Sequence, residues 1–156
     1  MFPIRKILHP TDFSNRSQAA FEVGCALARD YGAELVVVHV NQPPPVFAPD
    51  GIALPGPVEE PYELRARLAG VRPSDPRVKV EYHLLDGDPA DEIVKAAKIR
   101  GADLIVMGTH GTTGLVRLLM GSVAESVLRK APCPVLTVKT PAGAGDKRGE
   151  TDSAAQ

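Results

Sequence analysis

The chain has 156 residues, with 18 Lys plus Arg against 19 Asp plus Glu and a formal net charge of −1. One domain of roughly 100–200 residues accounts for that length, and it buries enough surface to need no disulfide or metal staple. The charge balance argues against a nucleic-acid or anionic-membrane surface, which needs clustered cations.

Residues 6–10, Lys-Ile-Leu-His-Pro, read as a first strand ended by proline. Thr11-Asp12-Phe13-Ser14 then supplies helix-start chemistry, with Ser14 as N-cap. Ala20, Val23, Gly24, Leu27 and Tyr31 recur on one helical face, and Gly32 closes that helix. Residues 34–40 form a nearly unbroken β-branched run, the pattern of a strand covered on both faces. Together these segments predict a right-handed βαβ unit.

The connection 41–61 holds Pro43, Pro44, Pro45, Pro49, Pro55, Pro57 and Pro61, and is too proline-rich for a helix or a central strand. It is expected to act as a lid or partner-contact segment. A short helix over 62–69 and a third strand over 78–85 follow. Asp88-Pro89 opens the next helix, with Asp as N-cap and Pro at the first helical position. Ala90, Ile93, Val94 and Ala97 make its buried stripe, and Gly101 ends it. Residues 104–107 are the fourth strand, 123–130 the last helix and Val135–Val138 the fifth strand. Residues 141–156 lack periodicity and are expected to be a disordered tail after a domain spanning 1–140. Five strands alternating with four helices predict an open, mostly parallel α/β sheet, which binds ligands beyond the strand carboxyl ends at its switch point.

Cys25 and Cys133 lie far apart without metal-ligand spacing, as in a reduced cytoplasmic protein. The N-terminus lacks a signal-like apolar run, and no run approaches the length of a membrane span.

The stretch from Gly108 to Ser122 carries the strongest functional signal. It leaves a buried strand and ends at a helix start, where backbone amides and the helix dipole favour an anion. Gly108, Gly111 and Gly121 let the backbone approach a phosphate without an intervening Cβ. Ser122 offers its hydroxyl with the amides of Ser122 and Val123. Ser122-Val-Ala-Glu125 also reads as a capping box, and the two readings are compatible because a hydroxyl both donates and accepts.

Gly108-x2-Gly111-x9-Gly121-Ser122 resembles the signature of the ATP-binding branch of the universal stress protein family. The opening segment 7–14, the Val38-His39-Val40 strand end, the segment 102–108 and the ending 131–138 are similar to the same family. The resemblance implies a Rossmann-like, adenine nucleotide alpha hydrolase-like fold: a five-stranded parallel sheet of order 3-2-1-4-5 with helices on both faces. It also implies a bound adenine nucleotide. Asp12 matches a carboxylate near the ribose, flanked by Pro10 and Thr11; Val40 matches the position whose main chain faces adenine. Met107 and Gly108 match the pocket lining, and Gly111, Gly121, Ser122 and Val123 the phosphate cradle, with Thr109 and His110 in the same loop. ATP is the implied ligand, with Mg²⁺ held through its phosphates rather than in a protein cage. The further expectation is a cytoplasmic stress-response homodimer paired through Val135–Val138, with neither nucleic acid nor membrane as partner.

His9, His39 and His110 fall at or just beyond predicted strand ends, but ordinary packing or ligand contacts outweigh a three-histidine metal site. Arg117 is the glycine loop's one cation, and no P-loop lysine is present. Without an evident base or charge clamp, a nucleotide binder outweighs an ATP-hydrolysing or adenylate-transferring enzyme. The intact glycines and Asp12 weigh against a dimeric interaction module that has lost its nucleotide.

Overall fold

The computed structural model describes residues 2–43, 45–109 and 120–140. Strands β1 (Lys6–Pro10), β2 (Glu34–Asn41), β5 (Val80–Asp86), β6 (Leu104–Gly108) and β7 (Val135–Val138) form one sheet of order β5-β2-β1-β6-β7. All its pairings are parallel, so the five strands taken in chain order give 3-2-1-4-5, as expected. Helices α1 (Asn15–Tyr31), α2 (Pro61–Ala69), α3 (Pro89–Arg100) and α4 (Ser122–Lys130) connect them.

Strand alternation divides the core into two layers. Ile7, Leu35, Val37, Leu104 and Val106 meet Ala20, Phe21 and Ala28 of α1 and Leu68 of α2. Leu8, Val36, Val38, Ile105 and Met107 meet Ala90, Ile93 and Ala97 of α3 and Ala124 and Val127 of α4. At Gly24 α1 packs directly on the sheet: a Cβ there would stand 3.5 Å from Leu35 Cδ1, an ordinary van der Waals contact. At the strands' amino ends Asp103 accepts from the amides of Arg5 at 2.9 Å and Lys6 at 3.0 Å, which ties the start of the chain to β6. No described helix is long and apolar enough to cross a membrane.

The expected helix boundaries hold at α1 and α3. Ser14 accepts from the Ser17 amide, and Asp88 from the Asp91 amide. Gly32 and Gly101 close their helices in the left-handed region, at φ 66° and 63°. The capping-box reading of Ser122 is corrected: Gly121 is the N-cap of α4, Ser122 is already its first helical residue, and among the described residues no side chain caps the helix. The Glu125 amide donates to the Gly121 carbonyl, so the helix starts one residue earlier than the box requires.

The proline-rich connection holds more order than its composition predicts. Strands β3 (Pro45–Phe47) and β4 (Ala53–Pro55) pair antiparallel as an exposed hairpin outside the main sheet. The prolines stand at one end of the ladder instead of interrupting it: Pro45 faces Pro55, followed by Val46 opposite Leu54 and Phe47 opposite Ala53. Gly51, at φ 81°, supplies the left-handed residue of the connecting turn.

Candidate functional site

The switch point of the sheet lies where β1, flanked by β2 and β6, ends. Chain connections leave β1 toward β2 on one side and run from β6 to β7 on the other, so a crevice opens beyond the strand carboxyl ends. Pro10 pairs with Val38, and the Thr11 amide donates to the Val38 carbonyl at 2.8 Å. That register places Thr11 and Asp12 beside the end of β2, where Val40 stands.

The turn from β1 into α1 is held by its own polar side chains. The Phe13 amide donates to Thr11 Oγ1 at 3.1 Å, and Ser17 Oγ donates to the same oxygen at 2.9 Å. The Ser14 amide donates to Asp12 Oδ1 at 3.0 Å, and the Ser14 hydroxyl donates to it as well. Asp12 is thereby fixed at the mouth of the crevice with its carboxylate already partly engaged. Phe13 adopts a φ of 64°, which costs a non-glycine residue about 1–2 kcal/mol and requires support from its surroundings. Its ring meets the His39 ring at 4.4 Å and lies under the Arg67 guanidinium, whose Cζ is 4.3 Å from the ring centroid.

On the other side of the crevice, the Thr109 amide donates to the Val138 carbonyl at 3.2 Å, and the Gly121 amide donates to the Thr109 carbonyl. The two described ends of the glycine loop are therefore joined. This join brings the N-terminus of α4 to the end of β6. His110, Gly111 and Arg117 of the glycine loop, and the expected tail 141–156, lie outside the described residues. Gly121 has φ −71° and ψ 159°, a conformation any residue adopts, so its value as glycine lies in missing bulk rather than backbone freedom. Ser122 is exposed, and Val123 packs against the α3–α4 layer. The Met107 side chain is committed to that same core layer, and Gly108, paired with Val138, ends the strand.

Both described histidines at the strand ends hold a main-chain carbonyl through Nδ1. His39 Nδ1 donates to the Thr11 carbonyl at 2.7 Å, and His9 Nδ1 to the Val106 carbonyl at 2.8 Å. Among the described residues, no group of three or more His, Cys, Asp or Glu is placed to hold a metal ion. Burial pushes both thiols up, Cys25 to about 11, which leaves them protonated and unreactive at neutral pH. An open hollow between α3 and α4, lined by Asp91, Val94, Lys95, Lys98 and Lys130, contributes none of the candidate residues. Sequence reasoning missed Phe13, Arg67 and Glu59, and only the three-dimensional contact reveals them. A phenylalanine carries no left-handed preference, and Arg67 is far from Asp12 in sequence.

Residues 3–139 match the model of the Universal stress protein family. Universal stress protein MJ0531 of Methanocaldococcus jannaschii is 40% identical over 148 residues, covering 88% of this chain and 83% of that protein. Universal stress protein UspA from Lactobacillus plantarum superimposes with a TM-score of 0.67 at 25% identity, over 86% of this chain and 97% of that one. A universal stress protein from Archaeoglobus fulgidus, solved in complex with dAMP, shares the fold at a TM-score of 0.58 and 24% identity, over 89% and 100% of the two chains. The chain belongs to the universal stress protein family.

Proposed function

We propose that this protein binds an adenine nucleotide, ATP with Mg²⁺, at the carboxyl ends of β1, β2 and β6 and acts as a dimeric cytoplasmic regulator of a stress response. One observation carries the reading: the hydrogen bond from Gly121 to Thr109, which sets the N-terminus of α4 at the end of β6. Among the described residues no side chain caps the first-turn amides of α4, as at α2, whereas α1 and α3 spend a serine and an aspartate on theirs. Uncapped amides at the positive end of a helix dipole suit phosphate oxygens, and the small Gly121 lets them approach. The bound dAMP of the Archaeoglobus fulgidus protein is consistent with this choice of ligand.

In this reading Asp12 accepts from a ribose hydroxyl. The main chain at Val40 faces the adenine, with Pro10, Thr11, Met107 and Gly108 around it. Gly111, Gly121, Ser122 and Val123 cradle the phosphates, with Thr109 and His110 beside them. Bound Mg²⁺ would offset the negative charge of the phosphates. The protein's own part is to bind and orient the nucleotide with backbone donors.

Calorimetry with Mg²⁺ and ATP tests the proposal. Wild type should bind, and Gly121→Val should weaken binding at least tenfold while leaving the melting temperature within a few degrees, because its backbone angles accept a side chain. Absence of binding by wild type would remove the reading. Steady ATP turnover above about 1 s⁻¹ would instead make the protein an enzyme.

A further inference from the structure

We propose that Arg67 of α2 is a positioning residue for Asp12, acting through Phe13, and that Glu59 makes the proline-rich connection part of the same device. The functional half of this proposal rests on Asp12 facing the nucleotide ribose.

Four contacts form a continuous chain. Glu59 takes Arg67 Nη1 with both carboxylate oxygens, at 3.0 and 2.9 Å, which fixes the orientation of the guanidinium. That guanidinium lies over the Phe13 ring at 4.3 Å. The Phe13 ring also packs against the His39 ring at a tilt of 40°, and His39 Nδ1 in turn donates to the Thr11 carbonyl. The peptide units bearing Asp12 therefore lie between a ring held from α2 and a histidine held from β2.

This arrangement answers a local problem. Phe13 occupies the left-handed region, where its side chain provides no intrinsic stabilisation. The Phe13 and Ser14 amides make their hydrogen bonds within that turn, and the Ser14 bond holds Asp12 Oδ1. A cation and an imidazole on the Phe13 ring select the turn from outside it. A planar guanidinium stacks on a ring and pairs with a carboxylate at once, which an ammonium does less well. Because Glu59 lies between β4 and α2, a partner that pulls on the hairpin would also loosen Asp12.

Two measurements decide it. In ligand-free protein, Arg67→Ala should speed amide exchange at Phe13 and Ser14, with Arg67→Lys intermediate; unchanged exchange overturns the proposal. In calorimetry, Arg67→Ala should lower affinity for ATP about two- to fivefold, the worth of a partly exposed cation–π contact. It should leave affinity for 2′,3′-dideoxyATP unchanged, since that ligand offers Asp12 no ribose hydroxyl. Equal loss for both nucleotides would make Arg67 merely structural and overturn the proposal. Should wild type bind neither nucleotide, the functional half falls with the nucleotide reading, while faster exchange in Arg67→Ala would still establish the support of the turn.

Discussion

His9 is wholly buried, with its ring against Phe21. Its Nδ1 must carry the proton it donates to the Val106 carbonyl, because a carbonyl only accepts. Nε2 is left as a buried lone pair without a hydrogen-bond partner. Burial lowers the histidine from its ordinary 6.5 to about 4, against the opposing pull of the Val106 carbonyl and the Asp12 charge. Between those values the unfolded chain binds a proton that the native protein does not, so stability rises as pH rises. The contribution is complete above 6.5 and is lost as pH falls toward 4, on the order of 3 kcal/mol in all. Urea unfolding across this range should therefore show a slope that His9→Leu flattens. Parallel pH profiles for wild type and variant would show that His9 does not set it.

The helices divide by how their first turns are satisfied, and this makes the caps a discriminating set. Asp88 accepts from the Asp91 amide at 3.0 Å, so Asp88→Ala should cost about 1 kcal/mol and lower the melting temperature by a few degrees. Ser122→Ala should cost almost nothing, because Ser122 is the first helical residue of α4 and caps nothing. Equal losses in thermal unfolding would restore the capping-box reading. The contrast also shows what the sequence makes legible. Period-two and period-3.6 runs bounded by Gly32, Asp88-Pro89 and Gly101 are local signals, and those elements form where the pattern places them. The hairpin of β3 and β4 depends on register between residues that composition alone marks as loop. Support for the Asp12 turn depends on a cation 55 positions away in the chain. Of the candidate site, Asp12, Val40 and Gly121 are named by the family resemblance of the glycine spacing and the strand-end segments, which are sequence features. Phe13 and Arg67 are not, because their roles exist only once α2 packs beside β5.

The sheet has two edges, and they are not equivalent. β5 carries Glu81, His83 and Asp86, with Glu81 paired to both His83 and Arg100. Charges of this kind protect an edge against strand addition. β7 reads Val-Leu-Thr-Val, carries no charge, and among the described residues pairs on one side, with β6. Its Leu136 is 40% exposed, although its strand neighbours are partly covered. An uncharged outer strand with open backbone groups is a template for an antiparallel copy of itself, and two such copies would join their sheets into one. Self-association through β7 is therefore the expected assembly, with β5 left outward. Sedimentation equilibrium should show a dimer for wild type, a monomer for Leu136→Lys, and an unchanged dimer for Leu84→Lys on the opposite edge strand. Because the crevice is built from β1, β2, β6 and α4, the monomeric variant should retain nucleotide affinity within about twofold. A Leu136→Lys protein that remains dimeric would move the interface away from β7. A monomer that also fails to bind nucleotide would mean that the second copy completes the site.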